Sequence, residues 1–378
     1  MNKKRTIIAA VVLVIAAVLA LTYSARNSVK SSSELKVVAL LPLTGPAAIF
    51  GQDEKLGIEL ALEAQESAKI PLAFTFEDTQ GKPDIAVSAL RKSYDISGSR
   101  VYMVSTTSPT LAILPILKDL PDYTLTFVVA TLSGITKDYP FAFRIYPSVD
   151  EEIRVLSSYA EKAGYKRIAA YCFKSQAGED AIRTMAKSVT AFGGSVIFSD
   201  TFPIVEKDFR QSLLKIKSLQ PEAILITGFA SNYADIFRQM IENDINIPIL
   251  AGVGMPLGDF EKQLPAEFLS RVVFPASRFN LEPENPEIKA LIDAIQQKGK
   301  TANYEIAYAY DTTMLLASAV EKSGSSDANK ISQAIMELMP YKGITGTINL
   351  DENRDARLDL KPCRYGPNGI ELADPILR

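Results

Sequence analysis

The sequence predicts an α/β protein of two doubly wound lobes, each a parallel sheet with helices on both faces. Three observations carry that expectation. Strand-length apolar runs alternate with helical patterns along most of the chain, which specifies right-handed βαβ crossovers and a parallel sheet. The 378 residues, 47% hydrophobic and 22% charged, suffice for two lobes where one small domain would not use them up. The alternation also restarts near Phe143-Arg-Ile-Tyr-Pro147-Ser, as if a second unit begins there.

Lys3, Lys4 and Arg5 precede an uncharged run of 17 residues from Ile7 to Tyr23, then polar residues to Ser33, the order of a secretion signal. As a helix that run is about 26 Å long, between a signal core and a short membrane anchor. Residues 1–34 are therefore expected to be a cleaved signal or a retained anchor with its linker. Either way the chain is exported, to the periplasm or the outer face of the cytoplasmic membrane, with membrane contact through this segment if it is uncleaved.

Strands are expected near 36–41, 71–77, 100–105, 125–130, 167–173, 195–201, 222–228 and 247–251. The first, Leu35-Lys-Val-Val-Ala-Leu-Leu, breaks at Pro42-Leu-Thr-Gly-Pro46, and a helix opens around Ala48-Ile-Phe-Gly51. That order sets Thr44 at the carboxyl edge of a sheet, where open α/β folds bind ligands. Helical spacing recurs at Leu56, Ile58, Leu60 and Leu62, and at Ile153, Leu156, Tyr159 and Ala163 after the acidic start Asp150-Glu-Glu152. Lys207-Asp208 and Ser231-Asn232 read as two further helix starts. Tyr146–Ser148 is a candidate hinge and Val273–Ser277 a second irregular crossing, followed by helical patterns over Pro286–Gln297 and Tyr304–Lys322. Short runs beyond Gly346 suggest an antiparallel tail.

Composition excludes several function classes. Removal of residues 1–25 would take the net charge from −3 to −6 by deleting three cations and no acid, so no basic stripe for nucleic acid remains. The chain has no histidine, which rules out Ser-His-Asp and Cys-His catalysis. The first loop lacks a Gly-x-Gly-x-x-Gly turn and no Walker-type run occurs, so neither dinucleotide nor nucleotide chemistry is expected. Glu151/Glu152 and Glu179/Asp180 read as helix starts favoured by the dipole, not as a glycosidase pair. No enzyme activity, cofactor or metal is expected. Cys172 and Cys363, the only cysteines, could be bridged in an exported chain or stand as two buried thiols.

Pro42-Leu-Thr-Gly-Pro-Ala-Ala, Phe50-Gly51, Gly57-Ile-Glu-Leu-Ala61, Glu77-Asp-Thr-Gln80 and Phe143-Arg-Ile-Tyr-Pro-Ser, in that order, resemble the periplasmic leucine/isoleucine/valine-binding family. The resemblance spans about Leu35 to Asp374. It implies the type I periplasmic-binding-protein fold, with a first lobe of 35–146 and 277–344, a second of 147–276 and 345–378, and a three-stranded hinge. It also implies a small-molecule solute held between the lobes and an ABC permease as partner. A membrane-tethered ligand-sensing domain of the same fold is the alternative.

The same resemblance points to ligand-binding positions. Thr107 and Ser108, in Ser105-Thr-Thr-Ser108, lie between the third strand and a helix read over Leu111–Leu117, where the family holds its ligand's carboxylate; from the residues alone they could equally cap that helix. Ala130 and Thr131 end the next strand, where the family uses a carbonyl and a hydroxyl. Phe50 and Phe229 offer apolar walls or, on the plainer reading, core and loop packing. Ala177 stands where the family commonly has a covering tyrosine, and Val253 where amino-acid binders carry the acid for the ligand's ammonium. Without that acid an ammonium in a dry cleft is costly, unless Asp53, Glu54 or Glu179 replaces it. The expected ligand is thus a small carboxylate, either an amino acid or, given Val253, a non-amine carboxylate with an apolar or aromatic body.

Overall fold

The computed structural model describes residues 34–65, 69–255 and 260–374. The signal or anchor assigned to residues 1–34 lies, but for its last residue, outside the described residues. Among these residues no helix is long and apolar enough to cross a membrane.

Two sheets form the frame. The first has strands β1 (Leu35–Leu41), β2 (Leu72–Asp78), β3 (Val101–Ser105), β4 (Leu125–Val129) and β5 (Ala142–Phe143) in the order β2-β1-β3-β4-β5, all parallel. The second has a parallel part of β6 (Arg167–Phe173), β7 (Ser195–Phe202), β8 (Ala223–Thr227), β9 (Ile249–Ala251) and β10 (Val272–Ala276), extended by antiparallel β14 (Lys361–Gly366) and β15 (Gly369–Leu372). The eight strands expected from apolar runs are all present, with ends within two residues.

Both faces of each sheet are covered, and the side-chain period of two shows it. On β1, Val37, Ala39 and Leu41 enter one core while Val38 and Leu40 enter another. On β6, Ala169 and Tyr171 face one core, and Ile168, Ala170 and Cys172 the other. Helix Ala48–Glu63 packs on helix Tyr304–Ser323 so closely that a Cβ at Gly57 would lie 2.3 Å from the Ile306 carbonyl oxygen, which is why glycine stands there. The helix expected from Lys207-Asp208 starts at Arg210, and that expected from Ser231-Asn232 starts one residue earlier, at Ala230, where the Asn232 side chain accepts the Phe229 N–H at 3.1 Å.

The chain passes between the sheets three times: after β5, after β10, and before β14. Arg144, on the first passage and wholly buried, is clamped by the Asp355 carboxylate and donates to the Ala130 and Leu132 carbonyls at 3.0 and 2.6 Å. β12 (Gly346–Leu350) and β13 (Ala356–Arg357) form a small antiparallel sheet with β11 (Tyr341–Gly343), and Ile348 enters the core under the first sheet. Hairpin pairing to β11 keeps this ribbon with the first lobe, so only the segment from Lys361 joins the second sheet.

Both cysteines are free and buried. β10, β9 and β8 stand between β14 and β6, which places Cys363 about 19 Å from Cys172 at ~4.8 Å per strand, far beyond disulfide reach.

Candidate functional site

In each sheet the strand order reverses beside a central strand, β1/β3 in the first and β6/β8 in the second, and the carboxyl ends at these reversals face one another. Between them lies a cavity of about 340 Å³, the size of a small-molecule site. Ser105 ends β3, Phe173 ends β6, Thr227 ends β8 and Gly252 follows β9, and all four line it.

All eight residues singled out from sequence, Phe50, Thr107, Ser108, Ala130, Thr131, Ala177, Phe229 and Val253, line this cavity. Helix Thr107–Lys118 has no side-chain cap at its start, so neither Thr107 nor Ser108 serves as its N-cap. Thr106 there holds φ 68°, a strained backbone for a β-branched residue, and its N–H donates to the Val129 carbonyl at 2.9 Å. The amides of Thr107 and Ser108 and their two hydroxyls are consequently presented at the positive end of a helix lining the cavity.

Phe50 is both wall and core: it is buried, and its ring lies 4.9 Å from that of Phe229 across the cleft. Phe173 adds a third ring, 5.2 Å from Phe229, beside the space left by Ala177. The Ala130 carbonyl already accepts from Arg144, which leaves it one lone pair for anything else. Thr44 is not at the cavity. Its hydroxyl donates to Asp78 at 2.6 Å, and the same carboxylate receives the amides of Leu43 and Thr44, closing the loop on itself.

The acids differ from expectation. Asp53 accepts from Asn303 at 2.8 Å and lies 3.6 Å from Lys300, away from the cavity, and Glu179 is exposed elsewhere. Glu54 lines the cavity floor, together with Glu152 and Glu305, which sequence reasoning passed over. Glu54 accepts the Ser105 hydroxyl at 2.7 Å, Glu305 accepts the Tyr146 hydroxyl at 2.5 Å, and each keeps a buried Oε2 without a hydrogen-bond partner among the described residues. Burial pushes both carboxyls well above the usual range, and mutual repulsion adds to it for Glu54. Glu152 accepts the Val253 N–H at 2.9 Å, and burial raises it to about 7 against the lowering influence of that bond and of Arg144.

A signal for Glu152 exists: it falls three residues after Val149 and four before Leu156, on the inward stripe of its helix. Glu305 sits in a helix buried on most sides, where any polar residue is a site candidate.

A family model described as periplasmic binding protein matches residues 34–360. The Leu/Ile/Val-binding protein homolog 3 of Brucella melitensis is 23% identical over 334 residues, covering 85% of this chain and 89% of its own length. A leucine-binding protein from Thermotoga maritima superposes with a TM-score of 0.79 at 24% identity, over 91% of this chain and 99% of that one. A solute-binding protein of an ABC transporter from Rhodopseudomonas palustris, in complex with 3,4-dihydroxybenzoic acid, has a TM-score of 0.79 at 20% identity, over 90% and 95% of the two chains.

Proposed function

The chain belongs to the periplasmic binding protein family, and from that premise we propose that it is the extracytoplasmic receptor of an ABC importer, closing its two lobes on a small carboxylate with an apolar or aromatic body. The single observation that carries the ligand class is the uncapped helix start at Thr107 and Ser108, opening on a cavity walled by Phe50, Phe173 and Phe229. An anion there satisfies open amides and the helix dipole together, and the rings bury its body. The named ligands of the relatives, leucine in one and 3,4-dihydroxybenzoic acid in another, share that description. The captured solute would be handed to a membrane permease, and no side chain is assigned any chemistry on it.

Titration calorimetry of the exported chain with leucine, isoleucine, valine, 4-hydroxybenzoate and 3,4-dihydroxybenzoate tests this, beside mass spectrometry of whatever co-purifies. At least one carboxylate is expected to bind. Thr107→Ala with Ser108→Ala should weaken it by about 1 to 3 kcal/mol per lost charge-assisted hydrogen bond. Failure of every carboxylate, or capture indifferent to the double substitution, overturns the reading.

A further inference from the structure

We propose that Glu152 sets which carboxylates the cleft accepts, by receiving a hydrogen bond from a cationic nitrogen on the ligand. This rests on the reading above and goes further in naming the second recognised group and the residue that recognises it. Val253 occupies the strand end where a carboxylate was expected, yet a carboxylate reaches that spot from another element. Glu152, in the first turn of helix Val149–Lys162, places Oε2 2.9 Å from the Val253 N–H. Gly252 makes the approach possible, since a Cβ there would lie 3.1 Å from the same oxygen.

Glu152 is 7% exposed and lines the cavity, and Oε1 has no hydrogen-bond partner among the described residues. The titratable groups that act on it or feel it are Arg144, Tyr233, Tyr304, Tyr308 and Cys172. Arg144 is the only cation among them, and its guanidinium is already engaged by Asp355 and by the Ala130 and Leu132 carbonyls. Glu152 is thus a dry carboxyl without a bonded cation, and burial raises it to about 7, so that it is only partly ionised at neutral pH. An ammonium docking on Oε1 completes its ionisation: the fraction still protonated loses its proton to solvent, and the carboxylate pairs with the bound nitrogen. A carboxylate lacking the nitrogen meets an acid that gains nothing by ionising.

Leucine with 4-methylpentanoate, and phenylalanine with 3-phenylpropanoate, are pairs that differ by the ammonium alone. Each is titrated calorimetrically into the native protein and into Glu152→Gln at neutral pH, in two buffers of different ionisation heat. Gln keeps an acceptor for the Val253 N–H, and circular dichroism confirms the fold. In the native protein the amine member should bind about 30-fold or more tighter than its partner, with net proton release, and both the preference and the release should collapse in Glu152→Gln. Equal binding of the pair members, capture of hydroxybenzoates alone, or a preference that survives the substitution overturns the role of Glu152 and leaves the carboxylate receptor standing. If neither these four compounds nor the hydroxybenzoates bind, both readings fall together.

Discussion

At the residue scale the buried carboxyls govern how the ligand-free protein answers pH. Glu152 has an ordinary value of 4.5 and rises to about 7 in the fold, and Asp311 rises from 3.8 to about 6, each chiefly through burial. Because both values are raised, the folded chain holds protons that the unfolded chain has already lost, and stability declines as pH rises through the window from 4.5 to 7 for Glu152. Melting temperature without ligand should therefore fall between about pH 5 and about pH 8, and Glu152→Gln should flatten part of that slope. A melting temperature that rises over this range would contradict the assignment. Phe50, Thr107 and Ala130 were singled out through the family resemblance, whose motifs align with strand ends and the loops that follow them, and all three line the cavity. Glu152 was passed over because an acidic first turn reads as a helix start favoured by the dipole, and only the stripe it shares with Val149 and Leu156 points it inward.

At the element scale the passage after β5 is held by one side chain. Arg144 donates to Asp355 through Nε at 2.7 Å and through a second nitrogen as well, which ties the first passage to the ribbon before the third. Removal of one partner leaves the other charge unpaired in the interior, so Arg144→Ala should cost about 3 to 5 kcal/mol in denaturant unfolding. A loss under about 1 kcal/mol would show that the pair is marginal. Strands and long helices were legible because their apolar periods are unbroken. The pairing of ribbon Gly346–Arg357 was not legible, because it is set by the hairpin to Tyr341–Gly343, which residue type does not reveal.

At the scale of the whole molecule, contacts already bridge the cleft: Phe50 meets Phe229, and the Ser133 N–H donates to the Asp180 carboxylate at 3.2 Å. Such contacts favour the closed arrangement over the open one, and a bound solute adds its own to both walls. Small-angle scattering should record a smaller radius of gyration once a binding carboxylate is added, and an unchanged radius would mean that the lobes do not move on capture. The three passages have one more consequence, which concerns how the chain is made. Neither half is contiguous: the first needs the helices around Tyr304 and the ribbon at Gly346, and the second needs Lys361–Leu372. Synthesis must pass Arg357 before the first half can be finished and Leu372 before the second, so the nascent polypeptide stays incomplete during most of its emergence, the condition in which a chain can still be threaded across a membrane.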